Sequence, residues 1–197
     1  MQVIGITGGT GCGKTTLLRQ IEARGGLVLD CDAVYHRLLR EDAELLAALR
    51  ARFPAAFDGG ALDRKALGRI VFADPAALAE LNAITHPAVK RAVRQQLDAA
   101  RSAGLALAAI DAVALLEGGL GELCDRTVAV TAPPEARVAR LVARDGISED
   151  YARLRIRAGK SDEAFAAACD EELHNDCPDA AAFAARCAAW LDTVSYI

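Results

Sequence analysis

Residues 3–16, VIGITGGTGCGKTT, constrain this chain more than any other stretch. Val3, Ile4 and Ile6 make an apolar, β-branched run that reads as a buried strand. It empties into Gly8-Gly9-Thr10-Gly11-Cys12-Gly13-Lys14-Thr15, which fits G-x-x-x-x-G-K-S/T at every fixed position. In such a loop the glycines let successive backbone N–H groups turn inward around phosphates. Lys14 supplies a compact positive charge for the β- and γ-phosphates, and the Thr15 hydroxyl is left to hold Mg²⁺. A helix from about Thr15 to Arg24 adds its N-terminal dipole to the same anion site. The expected nucleotide-binding residues are therefore Gly9, Gly11, Cys12, Gly13, Lys14, Thr15 and Thr16. The bland alternative is a glycine turn with no ligand. A dinucleotide fingerprint is excluded, because from Gly9 the sixth residue is Lys14 and from Gly11 it is Thr16, so G-x-G-x-x-G occurs in neither window. The expected ligand is a nucleoside triphosphate.

A chain of 197 residues with 53% hydrophobic content is long enough for one buried α/β core with a small appendage, and too short to expect two independent domains. Its net charge of −4 argues against a nucleic-acid groove or a polybasic membrane surface. Neither a signal-like N-terminus nor an apolar run of about 18 residues is present, so the expectation is a cytoplasmic protein without a membrane span. The six cysteines, Cys12, Cys31, Cys124, Cys169, Cys177 and Cys187, form no C-x-x-C pair, which disfavours a zinc site and a disulfide frame. Cys12 stands apart. Beside a lysine and a helix N-terminus a thiolate is favoured and oxidation would block nucleotide binding; alternatively the position simply accepts a small residue.

Leu27-Val28-Leu29 reads as a second strand ending in Asp30-Cys31-Asp32. Ligands of a parallel sheet lie beyond the carboxyl ends of its strands, which makes one of these acids a candidate general base. Asp32 would otherwise cap a helix running from Ala33 to Leu39. From Asp42 to Arg101 the pattern becomes a series of short helices with no strand, starting after Asp63, at Asp74-Pro75 and at His86-Pro87. Such an insertion can wall a second substrate. Its cations, Arg64 among them, either meet phosphates on that substrate or form solvated faces, and His86 is either structural or a ligand. Leu105 to Ile110 is a third strand ending in Asp111, a position suited to Mg²⁺ or to a helix cap. Arg126 to Thr131 is a fourth, and Pro133-Pro134-Glu135 opens an amphipathic helix. Arg137, Arg140, Arg144, Arg153, Arg155, Arg157 and Lys160 form the one dense basic region. Two helices hinged at Asp145-Gly146 would fold it into a flap over the transferring phosphate, unless the arginines only make surface salt bridges with Glu135, Asp145, Glu149 and Asp150. Glu171 to His174 reads as a short last strand and Asp179 to Val194 as a C-terminal helix.

These stretches resemble the dephospho-CoA kinase family over nearly the whole chain. The matching segments are ITGGTGCGKTT, LDCDAVYHRLL, DRKALGRIVF, LNAITHPAV, AIDAVALLEGGLGELCD, VAVTAPPEARVARLVARDGIS and RLRIRAGKSDE. The resemblance implies that Asp32 is the base for a ribose 3′-hydroxyl, that His86 of the Thr85-His86-Pro87 segment lies in the substrate pocket, and that Arg140 and Arg144 belong to the nucleotide lid. Two departures stand out. Val113-Ala114-Leu115-Leu116-Glu117 replaces a common Pro-Leu-Leu-aromatic-Glu, and Gly159 stands where glutamine is common.

The expected fold is a three-layer α/β P-loop NTPase fold with a central parallel sheet of about five strands. Its core comprises 1–34, 105–136 and 166–197, with a helical substrate-binding insertion at 35–104 and a lid at 137–165. The expected reaction moves the γ-phosphoryl of Mg·ATP to the 3′-hydroxyl of dephospho-CoA. Lys14, Arg140 and Asp32 are catalytic, Arg144 binds nucleotide, Asp32, His86 and Arg64 contact the acceptor, and Thr15 and Asp111 hold Mg²⁺. Expected partners are these two small molecules alone, with no nucleic acid or membrane, and the protein a monomer or weak homo-oligomer. Another small-molecule P-loop kinase is the nearest rival. A nucleotide-dependent switch is a more distant one, because neither Asn82 nor Asn175 begins an N-K-x-D guanine motif.

Overall fold

The computed structural model describes residues 1–194. They fall into two compact units, one formed by 1–29 with 99–194 and the other by 30–98. The first carries a sheet built on β1 (Gln2–Thr7), which leads through the glycine loop into α1 (Lys14–Ala23). After β2 (Leu27–Asp30) the second unit opens with α2 (Cys31–Glu41) and α3 (Ala43–Arg52). It continues with a hairpin of β3 (Phe57–Asp58) and β4 (Ala61–Leu62), α4 (Arg64–Ala73) and the long α5 (Pro75–Ser102). The chain then adds β5 (Leu107–Asp111) and β6 (Arg126–Thr131) to the sheet. Helices α6 (Pro134–Asp145), α7 (Glu149–Arg157) and α8 (Asp162–Ala168) precede β7 (Glu171–His174) and α9 (Ala180–Val194).

The five strands run in the order β2-β5-β1-β6-β7, a parallel sheet flanked by helices as expected for a three-layer α/β fold. β1 is central because it is apolar on both faces. Val3, Ile4 and Ile6 are wholly buried, which suits a strand covered by helices on either side. Ile4, Ile6, Val128 and Val130 pack with Leu17 and Ile21 of α1 and with Phe183, Cys187 and Leu191 of α9. The register sets Ile6 beside Asp111 and Thr131 beside His174. The carboxyl ends of four strands thus meet along one edge, where the glycine loop leaves β1. Among the described residues no helix is long and apolar enough to cross a membrane.

In the second unit Leu39, Leu45, Leu49, Phe53, Leu67, Val71 and Leu81 form a separate core. Each of α2, α3 and α4 starts on an aspartate, Asp30, Asp42 and Asp63, whose carboxylate accepts N–H groups of the first turn. Two sequence expectations fail here. The stretch read as strandless contains the short β3–β4 hairpin. The helices expected to start separately at Pro75 and Pro87 are one helix, so His86 lies in its interior and not ahead of a helix start. Pro87 has no N–H to give the Ala83 carbonyl, but its ring is exposed. A helix can bend away from an exposed ring, while good helix formers propagate it on both sides. Pro87→Ala should restore the missing donor and stabilise the protein by about 1–3 kcal/mol, after the looser unfolded chain is discounted. Urea unfolding measures this; a lower midpoint would mean that the ring makes contacts outweighing the lost bond.

Candidate functional site: a phosphate loop held by an arginine and an asparagine

The loop between β1 and α1 takes its form from positive backbone angles at Gly8, Gly11 and Gly13, with φ of 138°, 79° and 113°. Gly13 is the N-cap of α1, no side chain caps that helix, and no acid lies in its first turn. This sets it apart from the aspartate-capped α2, α3 and α4. The Thr16 N–H turns back to the Gly13 carbonyl at 2.9 Å, while the loop N–H groups and the positive end of the dipole remain available to an anion. Lys14 opens the helix, and its Nζ donates to the Gly8 carbonyl at 2.8 Å, which lays the ammonium group along the loop. Thr15 is exposed and Thr16 half-buried on the same turn.

Cys12 is buried, and burial raises its thiol above the usual range despite the nearby Lys14, whose charge acts in the opposite direction. Of the two alternatives for this position, burial favours the one in which it simply accepts a small residue, since desolvation acts against the thiolate and the side chain is out of reach of solvent.

The basic region divides in two. Arg144 is clasped by Asp145, through Nε at 2.6 Å and Nη2 at 3.0 Å. Arg155 joins the same carboxylate at 2.7 Å, and these two guanidinium groups hold Asp145 down at about 2. Arg153 grips Glu135 at 2.6 and 2.8 Å. Lys160 pairs with Glu117. For Arg144, Arg153 and Arg155 these are the surface pairs of the alternative reading, whereas Glu117 is a partner that reading did not include. α6 and α7 pack through Val138, Leu141 and Ala152, and Gly146 closes α6 in the left-handed conformation.

Arg137 and Arg140, on the face of α6 turned to the loop, behave differently. Arg137 is 3% exposed; its Nε donates to the Thr10 carbonyl at 2.9 Å and its Nη1 to Asp162 at 2.8 Å. Arg140 Nη1 lies 3.3 Å from the carbonyls of both Gly11 and Cys12. Neither guanidinium stands out over the loop as a flap would present it. α6 starts within three residues of β6, and this short connection holds its first turns against the loop. Asn175, just past β7, escaped the sequence reading as a site residue. It is buried, its Nδ2 donates to the Cys12 carbonyl at 2.8 Å, and a Cβ at residue 13 would stand 2.5 Å from that nitrogen. Its only sequence signal was a lone asparagine at a strand end.

Asp111 ends β5 beside Ile6 and is half-buried. With the Thr15 hydroxyl it offers hard oxygen donors of the type Mg²⁺ takes, and Mg²⁺ needs only one or two protein ligands when substrate phosphates supply others. Among the described residues no cluster of three or more His, Cys, Asp or Glu could hold a metal ion. Near the start of α8 a cavity of about 640 Å³ is lined by Arg157, Gly159, Lys160, Glu172 and His174. At Gly159 a side chain has room, the nearest atom to an added Cβ being the Ile156 carbonyl at 3.6 Å.

In the second unit the structure separates the two aspartates. Asp30 is the cap of α2, its Oδ1 accepting the N–H groups of Asp32 at 2.9 Å and Ala33 at 3.1 Å. Asp32 is not the cap: it is exposed in the first turn, and its carboxylate has no hydrogen bond or ion pair among the described residues. One helical turn on, His36 meets Arg64 of α4 through Nε2 at 3.2 Å. Asp32, His36 and Arg64 therefore share one region. His86 is half-buried on α5, where burial lowers its pKa, and no hydrogen bond links it to Asp32 or Arg64.

The family model described as dephospho-CoA kinase matches residues 2–180. A dephospho-CoA kinase of Anaeromyxobacter dehalogenans is 41% identical over 177 residues, covering 89% of this chain and 84% of its own. A crystal structure of a Thermus thermophilus protein superposes with a TM-score of 0.81 at 34% identity, over 100% of this chain and 98% of that one. The dephospho-CoA kinase of Campylobacter jejuni shares the fold, with a TM-score of 0.69 at 24% identity over 99% and 98% of the two chains.

Burial of the loop thiol has a direct consequence. Iodoacetamide applied to the folded protein should label the half-buried Cys177 before Cys12, as read by peptide mass mapping. Labelling of Cys12 at the rate of an exposed thiol would overturn this assignment.

Proposed function

The chain belongs to the dephospho-CoA kinase family, and on that footing we propose that it transfers the γ-phosphoryl group of ATP to the ribose 3′-hydroxyl of dephospho-CoA. The observation that carries the reading is the uncapped glycine loop at the head of α1, in a chain that matches the family model over residues 2–180.

The N–H groups of the loop and of the first turn of α1 receive the β- and γ-phosphates, and Lys14 adds a mobile positive charge as negative charge shifts toward the bridging oxygen. Thr15 and Asp111 are the residues that would hold Mg²⁺, which when bound neutralises charge on the β- and γ-oxygens. Asp32 accepts the hydrogen bond of the 3′-hydroxyl and takes its proton while the new O–P bond forms and the bond from γ-phosphorus to the β,γ-bridging oxygen breaks, releasing ADP. Asp32 suits this role because capping of α2 is already done by Asp30. Arg64, seated on His36, is the acceptor-side cation for the diphosphate of dephospho-CoA, and His86 belongs to the acceptor pocket. Arg140, whose guanidinium lies against the Gly11 and Cys12 carbonyls, is the α6 arginine that supports charge on the transferring phosphate in this reaction. The partners are small molecules; a net charge of −4 gives polyanions little to bind.

The division between the two aspartates can be tested. Asp32→Asn should lower kcat by about 10²–10⁴ with ATP binding intact, the usual weight of general-base help. Asp30→Asn should keep turnover, since asparagine caps nearly as well as aspartate. The reverse pattern would move the base to Asp30. In a coupled ADP-release assay, ATP should be consumed only when dephospho-CoA is present; equal turnover with a nucleoside or nucleoside monophosphate would favour the rival small-molecule kinase.

A further inference from the structure

The phosphate loop is gripped through its carbonyls. The oxygens of Gly8, Thr10, Gly11 and Cys12 are taken by Lys14 at 2.8 Å, Arg137 at 2.9 Å, Arg140 at 3.3 Å and Asn175 at 2.8 Å respectively. In a trans peptide the carbonyl of one residue and the N–H of the next point in opposite directions, and no peptide of the described chain is cis. Holding the Thr10, Gly11 and Cys12 carbonyls on one side therefore turns the N–H groups of Gly11, Cys12 and Gly13 to the other. Those are the donors an anion needs.

Of the three outer donors, Arg137 is the most constrained. Its guanidinium is buried and bonded at two separate nitrogens, Nε to Thr10 and Nη1 to Asp162. The third, Nη2, lies 2.3 Å from where a Cβ of residue 9 would stand, so any side chain there would have to displace the guanidinium from its two partners. Asp162 is fixed in turn, its second oxygen accepting the Ala132 N–H at 3.1 Å from just beyond β6. An isolated buried guanidinium is strongly disfavoured, so this carboxylate is what allows Arg137 to stay behind the loop. A lysine cannot substitute, because one ammonium nitrogen on a flexible stem cannot reproduce the rigid fork that spans Thr10 and Asp162.

We infer that Arg137, locked by Asp162, is a positioning residue for the triphosphate: it sets the peptide planes of the loop so that their N–H groups converge on the phosphates, without touching the nucleotide. This rests on the phosphate-loop reading above and assigns a role to a residue expected from the sequence to belong to a flap.

The test separates phosphate recognition from stability and from acceptor chemistry. Arg137→Lys, Asp162→Asn and Gly9→Ala are each titrated with ATP, inorganic tripolyphosphate and adenosine, and their thermal midpoints recorded. Losing a charge-assisted anchor of this kind corresponds to roughly 10- to 100-fold in affinity. Arg137→Lys should weaken ATP and tripolyphosphate by that factor and equally, leave adenosine unchanged, and leave the KM for dephospho-CoA within about twofold. Asp162→Asn, which keeps the shape but not the charge, should shift the same ligands in the same direction by less, and it remains informative if Arg137→Lys fails to fold. Combining Gly9→Ala with Arg137→Lys should cost less than the two separate losses together, because both disturb one contact. A fall in thermal midpoint with unchanged tripolyphosphate affinity in Arg137→Lys, or in Asp162→Asn if the lysine variant does not fold, would overturn the inference and leave the pair merely structural. Wild-type protein that binds tripolyphosphate but does not phosphorylate dephospho-CoA would instead defeat the proposed reaction and leave this inference standing.

Discussion

A loop can present several N–H groups to one anion only if the carbonyls of the same peptides are satisfied elsewhere, since each peptide plane carries both groups in opposition. The sheet unit meets that constraint with donors from three places: Lys14 within the loop, Arg137 and Arg140 on α6, and Asn175 after β7. Their placement follows from the sheet. β6 lies directly beside β1 and β7 beside β6, so the segments leaving those strands emerge next to the loop that leaves β1. Burial of Val3, Ile4 and Ile6 at the sheet centre fixes where the loop begins.

The seven cations between Arg137 and Lys160 look alike in sequence, yet their surroundings give them different weights. Arg144, Arg153 and Arg155 hold exposed or half-exposed carboxylates, and pairs of that kind contribute about 0–1 kcal/mol each. Arg137 is the exception because water is excluded from it. A buried charge is tolerated only with a fixed partner and full hydrogen bonding, which makes the pair with Asp162 sensitive to substitution of either member. The distinction is one of dielectric surroundings, not of residue type.

The same logic separates Asp30 from Asp32. They stand two residues apart, but the turn into α2 directs the first carboxylate back onto the helix N–H groups and leaves the second exposed. A helix needs one cap; the acid in excess of that need is the one to which the proposed reaction gives the proton.

The amino-acid sequence by itself determined the strand, loop and helix around Lys14, the five parallel strands and the amphipathic α6, since each is written in short-range periodicity, glycine spacing and flanking prolines. It missed the continuity of α5 because a proline reads as a break, although an exposed ring is tolerated in a helix interior. It left Cys12 open between a reactive thiolate and a merely small residue, because the neighbouring lysine is visible in the sequence and the burial is not. Only the tertiary structure decided which arginine lies behind the loop and that Asn175 lies beside it. Arg137 meets Thr10 across 127 positions of chain, and Asn175 meets Cys12 across 163. No local pattern specifies such a partner: a side chain's propensity acts within a few residues, whereas the peptide it will orient is chosen by how the strands are ordered in the sheet.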